Sequence, residues 1–192
     1  MIKRLVLAAA LATTANFAIA APVTYQLDPS HTNVIAQWNH FGFSNPVAHF
    51  GQAEGILIYD ADNVAASSVE VALPLSGLNS FTAKFDEHLR GPDFFNVATY
   101  PLATFKSTAV ESAGEGKLKV TGELTIKDNS HPVVLDVTLN KVGENMGKRP
   151  TIGFDAHTTI KRSDFGVGMY APGVSDEVDI RITTEASSEK AG

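Results

Sequence analysis

Two segments of the sequence combine aromatic rings with side chains that handle protons or bind ligands. Residues 38–43 read Trp-Asn-His-Phe-Gly-Phe, and residues 87–95 read Glu-His-Leu-Arg-Gly-Pro-Asp-Phe-Phe. Imidazoles such as His40 and His88 change charge near neutral pH, and Arg90 can contact a ligand. The segments therefore suit acid–base chemistry or a polar head group beside an apolar ligand. The same aromatic rings, with an inward His40, also suit a plain hydrophobic core.

A third segment, residues 161–166, reads Lys-Arg-Ser-Asp-Phe-Gly and follows a strongly patterned strand. Arg162 and Asp164 are placed to form a local ion pair that fixes the turn, or Arg162 presents its planar fork to a phosphate. Arg90 and Asp93 have two similar uses, as a pair across the Gly-Pro turn or as ligand contacts. For both arginines the sequence leaves the structural and the ligand-binding use open.

Catalysis would need more than these segments supply. The sequence contains no nucleophile elbow, no paired-carboxylate motif and no run of metal ligands. The absence of cysteine excludes thiolate metal sites, c-type haem attachment, cysteine nucleophiles and disulfides. We therefore predict a protein that is not an enzyme and has no cofactor. An acid–base cluster, the less favoured alternative, would use His88, Asp93, Arg162 and Asp164.

Strands must position these side chains, because apolar and polar residues alternate along most of the chain. Leu118 and Val120 point to one face, for example, and Lys117 and Lys119 to the other. A period of two is typical of strands with one apolar and one wet face. Eight strands are predicted, at 33–40, 48–59, 68–74, 102–110, 118–126, 133–139, 152–160 and 178–182.

One stretch, residues 80–96, breaks the alternation. Phe81, Phe85 and Leu89 recur at helical spacing, Ser80 can cap the start of a helix, and a Gly-Pro pair stops it. The sequence therefore predicts an all-β domain of eight antiparallel strands with one short helix. Such a chain forms a barrel or a sandwich, and alternation alone does not say whether its apolar interior is filled or holds a pocket.

Charge and length limit the partners and the number of domains. The chain has 15 basic and 21 acidic residues and no basic stripe, so nucleic acid is not expected as a partner. No linker or repeat divides the sequence. We predict one domain at 21–185 and a frayed tail at 186–192.

The N-terminus carries the parts of a secretory signal peptide. Lys3 and Arg4 precede an apolar run at 5–12, and residues 18–20 read Ala-Ile-Ala, the small-x-small cleavage pattern. We predict that segment 1–20 is removed and that the mature protein resides in the periplasm. An uncleaved anchor helix is the alternative, but the run is shorter than the roughly 20 apolar residues of a spanning helix. No stable membrane insertion is therefore expected.

The order and spacing of several motifs resemble the YceI-like family of bacterial envelope proteins. The similarity covers nearly the whole mature chain, and the His-Leu-Arg-x-x-Asp-Phe-Phe and Arg-x-Asp-Phe-Gly motifs are its most specific parts. The matching segments are 30–31, 38–44, 86–97, 100–101, 120–126 and 162–166.

The resemblance implies an extended lipocalin-like barrel with a long apolar tunnel that holds an isoprenoid or another amphipathic lipid, such as an acyl lipid. The helix and the loop after it would act as a lid near one mouth. Twelve residues are the candidates for ligand binding. The residues expected to line the tunnel are Trp38, Phe41, Phe43, Phe50, Phe85 and Leu89. The polar candidates near an entrance are His40, His88, Arg90 and Arg162, and Phe94 and Phe165 complete the set.

Two further hypotheses stay open at this point. A filled barrel would serve as an adaptor or stress protein of the envelope rather than as a carrier. Exposed aromatic residues near the lid would also be compatible with a homodimer.

Overall fold

The computed structural model describes residues 21–189. The predicted signal peptide at 1–20 and the last residues of the predicted tail, 190–192, lie outside the described part. The one α-helix of the described chain, α1, spans Ala83–Arg90. The strands are β1 (Val23–Leu27), β2 (Asn33–Gln37), β3 (Val47–Phe50), β4 (Glu54–Tyr59), β5 (Ser68–Pro74), β6 (Leu78–Asn79), β7 (Leu102–Gly114), β8 (Lys117–Ile126), β9 (Asn129–Glu144), β10 (Pro150–Lys161) and β11 (Glu177–Ser187).

The eleven strand segments form a closed barrel of eight antiparallel strands. Three barrel strands are interrupted, so that β1 continues into β2, β3 into β4, and β5 into β6. Each barrel strand pairs with its neighbours in the sequence, and β11 closes the ring by pairing with both β1 and β2. The predicted all-β, eight-stranded barrel is confirmed, and the sandwich alternative is excluded by this closure.

The longest ladders run through the second half of the chain. The β10–β11 ladder extends from the pair of Lys161 and Glu177 to the pair of Thr151 and Ser187. Successive side chains of a strand point to opposite faces, so a continuous register keeps one alternating set inside. Strands β8 to β11 therefore form a regular wall with an apolar inner face.

The strand prediction at 48–59 was wrong in one respect, because the chain breaks at 51–53 between β3 and β4. Gln52 adopts a left-handed φ of 64°, which a continuous strand does not accommodate. Strand β1 lies outside every predicted strand. It continues the strand predicted at 33–40 beyond a bend at 28–32.

The predicted short helix is confirmed, with a different cap. Thr82 precedes its first turn, while the backbone amide and hydroxyl of Ser80 both donate to Asp86 at 2.5 Å. These hydrogen bonds lower the pKa of the Asp86 carboxyl. The helix lies against the barrel through buried Leu89 and through Phe85, whose ring centroid is 6.1 Å from that of Trp38.

The two ends of the barrel are built differently. At one, the turn end, the connections are compact. At the other, the helix end, the connections are mostly longer and include α1. The turn-end connections are 60–67, 115–116 and 145–149, and the helix-end connections are 38–46, 80–101, 127–128 and 162–176.

Two hydrophobic clusters divide the interior in the same way. The cluster toward the turn end includes Tyr25, Ile152 and Phe154. The cluster toward the helix end includes Phe50 and Leu89. The long strands contribute inward-facing residues to both clusters. One apolar interior therefore extends from one end of the barrel to the other.

The C-terminal boundary differs from the predicted one. Strand β11 continues through Ser187, and Ala186 is buried in the core, so the segment after the barrel begins later than 186. Among residues 21–189, no helix is both long and apolar enough to cross a membrane.

Candidate functional site

A cavity of about 430 Å³ runs inside the barrel. Its volume lies within the roughly 300–1,000 Å³ typical of small-molecule sites. The interior is therefore not filled. Most of the side chains that line the cavity are aliphatic or aromatic, so it can accept an apolar ligand. Representative lining residues from the turn end to the helix end are Tyr59, Phe154, Val120, Leu135, Ile180 and Trp38.

Close approach of two strands shapes one part of the wall. Gly122 occupies an inward position of β8, and a Cβ atom there would lie 2.4 Å from the ring of Phe105. Because glycine has no Cβ, the Phe105 ring lies over this position and lines the cavity.

Eight of the twelve predicted ligand-binding residues line the cavity. Their role in binding stays a prediction, but the structure brings them together from three separate parts of the chain. They are Trp38, His40, Phe50, Phe85, His88, Leu89, Phe94 and Arg162.

The prediction that Phe41 and Phe43 line the tunnel was wrong. Both lie in the hairpin between β2 and β3, where His40 pairs with Ser44 and with Val174. The hairpin extends past the rim of the barrel, which leaves Phe41 54% and Phe43 92% exposed. Side chains beyond the last barrel pair no longer alternate between inside and outside.

Phe165 is also absent from the cavity wall. It is 1% exposed, lies in the 3-10 segment Arg162–Phe165, and packs edge-on against the ring of His131 at 5.3 Å. This contact makes it part of the core between the β8–β9 turn and the β10–β11 connection.

The guanidinium of Arg162 is buried and hydrogen-bonded to the backbone. Its Nε donates to Ser175 O at 2.8 Å, Nη1 to Val167 O at 2.6 Å and Met169 O at 2.8 Å, and Nη2 to Val174 O at 2.9 Å. Four of the five N–H donors are thereby used. The structure supports neither the predicted Asp164 pair nor a free fork for phosphate.

The burial of Arg162 has an electrostatic consequence. Desolvation lowers its pKa, and the nearby Asp176 carboxylate offsets this in part. Asp176 in turn accepts hydrogen bonds from the backbone amide and the hydroxyl of Ser163, which lower its own pKa. The arginine and its neighbours hold the connection 162–176 in one conformation.

Arg90 also has a structural position. Its Nη2 donates to the backbone oxygens of Ser76 and Leu78, and its Nε is buried without a partner. Among the ion pairs of residues 21–189, none joins Arg90 to Asp93. The side chain therefore ties the end of α1 to the segment between β5 and β6 and does not line the cavity.

Two histidines remain as polar groups of the cavity near the helix end. The His40 ring contacts Phe41 edge-on at 4.9 Å, and the His88 ring contacts Phe94 at 4.9 Å and stacks near Phe85 at 6.4 Å. Both histidines are exposed on one side. A neutral imidazole can donate or accept a hydrogen bond, so the pair suits a hydroxyl, carbonyl or phosphate group at the end of an apolar chain.

Several site residues were not predicted from the sequence, at the turn end and, apart from Arg162, on the β10–β11 connection. Tyr59 and Phe154 meet there with ring centroids 6.1 Å apart, and Met169 and Tyr170 line the opposite mouth. Alternation marks Phe154 as inward-facing, but only barrel closure makes an inward residue part of a cavity. In residues 21–189 no cluster of three or more His, Asp or Glu side chains is arranged to bind a metal.

Comparisons with known proteins agree with this architecture. The model of a family described as the YceI-like domain matches residues 25–186. A UPF0312 protein of Vibrio cholerae is 33% identical over 186 residues, covering 95% of this chain and 97% of the relative. Protein YceI of Escherichia coli is 34% identical over 182 residues, with 95% of each chain covered.

Solved structures give the same result. Burkholderia cenocepacia BcnA superposes with a TM-score of 0.76 at 29% identity, covering 83% of this chain and 98% of BcnA. The YCEI protein of Campylobacter jejuni gives 0.71 at 28% identity, covering 79% and 90%. A polyisoprenoid binding domain from Saccharophagus degradans gives 0.67 at 14% identity, covering 86% and 99%, and this likeness concerns the fold alone.

Proposed function

This chain belongs to the YceI-like family, and we propose that it is a non-catalytic periplasmic carrier of an isoprenoid or another amphipathic lipid. The apolar chain of the lipid would lie along the barrel, with its polar end near the two histidines of the helix end. The observation that carries the proposal is the continuous cavity of about 430 Å³ with an almost wholly apolar lining.

The position of the polar groups supports a directional arrangement of the ligand. His40 and His88 line the cavity near the helix end, whereas the polar groups near the turn end are hydroxyls, of which Thr32 and Thr184 bond each other and Ser67 accepts from the Asp60 amide. A polar group buried without a partner is costly, so the head group favours the helix end and the chain favours the other. The Saccharophagus degradans neighbour is a polyisoprenoid binding domain, which agrees with this class of ligand.

Chain length should dominate affinity. Each buried CH₂ contributes roughly 0.8 kcal/mol, about fourfold in affinity, while association costs an estimated 4–15 kcal/mol. A short chain or an isolated head group therefore binds weakly, and affinity rises with length until the chain fills the cavity. An enzyme would instead need reactive groups, and Arg162, one member of the alternative acid–base cluster, is already bonded to backbone oxygens.

The periplasmic location rests on the predicted signal peptide at 1–20. The test is N-terminal sequencing of protein recovered from the periplasmic fraction. A mature chain beginning at Ala21 supports export and cleavage. Full-length protein in the cytoplasm contradicts the location.

The first test of lipid binding is native mass spectrometry of the mature protein purified from its own envelope, with organic extraction of any adduct. We expect a discrete adduct that extracts as an isoprenoid or acyl lipid and that is chemically unchanged by incubation with the protein. A bare polypeptide mass that stays unchanged after incubation with envelope lipids contradicts the proposal and favours the adaptor hypothesis.

Two substitutions test the site itself. Trp38→Asp and Phe85→Asp each place a charge in the apolar wall near the mouth, so lipid loading should be lost. Ile35→Asp is the matched control, because Ile35 lies on β2 with its side chain on the outer face and 38% exposed. Circular dichroism checks that each variant is folded. Unchanged loading in folded Trp38→Asp and Phe85→Asp would overturn the assignment of the site.

A further inference from the structure

Four aromatic side chains at the helix end are exposed, although aromatic rings are usually buried in a folded domain. The exposed fractions are 54% for Phe41, 92% for Phe43, 73% for Phe81 and 58% for Tyr170. They belong to three different connections of the barrel, and we call them the aromatic rim. A single exposed ring is ordinary, but four at one end of a barrel indicate a contact surface.

Backbone conformation adds a second cost at the same residues. Phe41, Phe81 and Tyr170 have left-handed φ angles of 52°, 64° and 67°. Bulky residues rarely adopt this region, which favours glycine and asparagine, and such strain tends to occur at functional sites. The same three residues are therefore unfavourable both in backbone conformation and in exposure.

The rim is continuous with the mouth of the cavity. The Phe41 amide donates to Gly173 O at 2.8 Å, which joins the β2–β3 hairpin to the β10–β11 connection. Tyr170 both belongs to the rim and lines the cavity, and its ring centroid lies 6.4 Å from that of Phe94. An apolar molecule leaving the cavity at the helix end therefore passes Tyr170, one of the exposed rings of the rim.

The charge of the rim differs from that of the whole chain. Asp86, Glu87, Asp93, Asp164 and Asp176 lie in the same connections, but the three segments next to the rings, 38–46, 78–85 and 165–175, contain none of the 21 acidic residues. Their titratable cationic groups are Lys84 and His40. The residues next to the rings in sequence are therefore mostly uncharged, which lowers the cost of placing them at a bilayer interface.

We propose that the aromatic rim docks on the surface of a lipid bilayer, with its rings among the head groups and the cavity mouth facing the membrane. Aromatic side chains favour this interfacial region, and binding grows with the apolar area that is buried there. The proposal rests on the proposed carrier function, because docking would let a lipid pass between bilayer and cavity without crossing water. A second copy of the chain would cover the same apolar rings, but Tyr170 joins the rim to the mouth of the proposed lipid cavity, so the bilayer, which supplies lipid, suits this surface better.

The test measures binding of the mature wild-type protein to vesicles of phosphatidylethanolamine and phosphatidylglycerol by co-sedimentation. The test variant combines Phe43→Ser with Phe81→Asn, since neither side chain lines the cavity. The matched control is Met146→Ser, which removes a fully exposed apolar side chain at the turn end. We expect the double variant to lose roughly tenfold or more in partitioning, and the control to bind like wild type.

Lipid loading is measured in a separate experiment, so that the docking proposal and the carrier function can each be contradicted without the other. Trp38 is the single tryptophan of the chain and lines the mouth, so brominated stearic acid in the cavity should quench its fluorescence. Added from ethanol, this probe should load wild type and double variant equally. Delivered from vesicles, it should load the double variant more slowly.

Three results would overturn the docking proposal. One is wild-type protein that takes up the probe yet does not bind vesicles. Another is equal vesicle binding by the double variant. The third is a wild-type dimer in sedimentation analysis that the double variant converts to a monomer, which would assign the rim to a second copy. Vesicle binding without any uptake of probe would instead contradict the carrier function and leave the docking surface standing.

Discussion

The two ends of the barrel use the same residue types in opposite ways. At the turn end, Tyr59 and Phe154 are buried against each other with ring centroids 6.1 Å apart. At the helix end, Phe43 and Phe81 project into solvent, and Phe81 does so from a left-handed backbone. Buried aromatic area stabilises a fold, whereas exposed aromatic area and strain do not. The turn end therefore contributes stability, and the helix end carries surface features that stability does not explain.

The helix end nevertheless contains a buried, hydrogen-bonded polar side chain that should stabilise the fold. Arg162 is 7% exposed and binds four backbone carbonyl oxygens of the β10–β11 connection. This connection presents Tyr170 at the mouth. The bonded guanidinium therefore supports a connection that carries an exposed residue with a left-handed φ.

Arg162→Ala should have the largest effect on stability and tests directly how much the helix end contributes to it. Removing the guanidinium leaves several buried carbonyl groups without donors, and we expect a loss of roughly 3–5 kcal/mol in the free energy of unfolding. Urea denaturation measures it. Arg181→Ala is the control, because Arg181 is exposed and its ion pair with Asp179 should contribute little. Equal losses in the two variants would contradict the structural role of Arg162.

Phe154→Ala should have the next largest effect and tests the turn end. Loss of the ring should lower the free energy of unfolding by about 3 kcal/mol. Replacing a core phenylalanine by alanine typically costs about 3–5 kcal/mol, and this ring borders an existing cavity, which places it at the lower end. The deeper cavity should in addition shift the ligand preference toward longer chains, measured with a series of fatty acids. Phe85→Ala, at a half-buried ring of α1, should destabilise less. A larger loss of stability in Phe85→Ala than in Phe154→Ala would contradict the stabilising role of the turn end.

Phe81→Asn should change stability in the opposite direction. Asparagine tolerates the left-handed φ of 64°, so relief of strain should raise the free energy of unfolding by about 1 kcal/mol. Phe43→Asn is the control, because Phe43 has no positive φ and offers no strain to relieve. Thermal unfolding distinguishes them. A destabilised Phe81→Asn would show that the exposed ring contributes packing that the comparison overlooks.

The smallest effect is expected between the two ends, at the bend between β1 and β2. Hydrogen bonding to Asp28 raises the pKa of His31, and hydrogen bonds from His31 and Ser30 lower the pKa of Asp28. A raised histidine pKa stabilises the fold below its ordinary value of 6.5, and the gain disappears as the pH rises through the folded-state pKa. His31→Gln should thus be slightly less stable in mildly acidic solution and equal to wild type in alkaline solution. A difference that grows with pH would contradict the pairing.

Much of the barrel could be predicted because its wall obeys a local rule. The alternation of Leu118, Val120 and their counterparts on β9 to β11 identifies the inner face without any knowledge of the partners. The bend at 28–32 and the break at 51–53 follow from single backbone conformations such as that of Gln52, which alternation does not encode. The short strand β1 was missed although Val23, Tyr25 and Leu27 alternate with Thr24 and Gln26 as a strand requires.

The candidate site was less predictable at its connections. Trp38, Phe85 and Leu89 were assigned to apolar faces from periodicity and to a tunnel from the family resemblance, and the structure places them on the cavity wall. Arg162 and Arg90 were not distinguishable from ligand contacts, because their acceptors are backbone oxygens whose positions depend on the folded loops. Phe41 and Phe43 have the composition of a tunnel wall, but the hairpin carries them beyond it.

The interrupted strands also affect the mechanics of the barrel. Their breaks lie side by side, at 28–32, 51–53 and 75–77, and the last two are linked by a hydrogen bond from Gly51 N to Gly77 O of 3.4 Å. The opposite half of the wall consists of the long strands β7 to β10, which have bulges but no breaks. The barrel thus has a continuous side and an interrupted side. We expect the interrupted side to bend more easily, which would let the bore accept ligands of unequal thickness without separating the long strands.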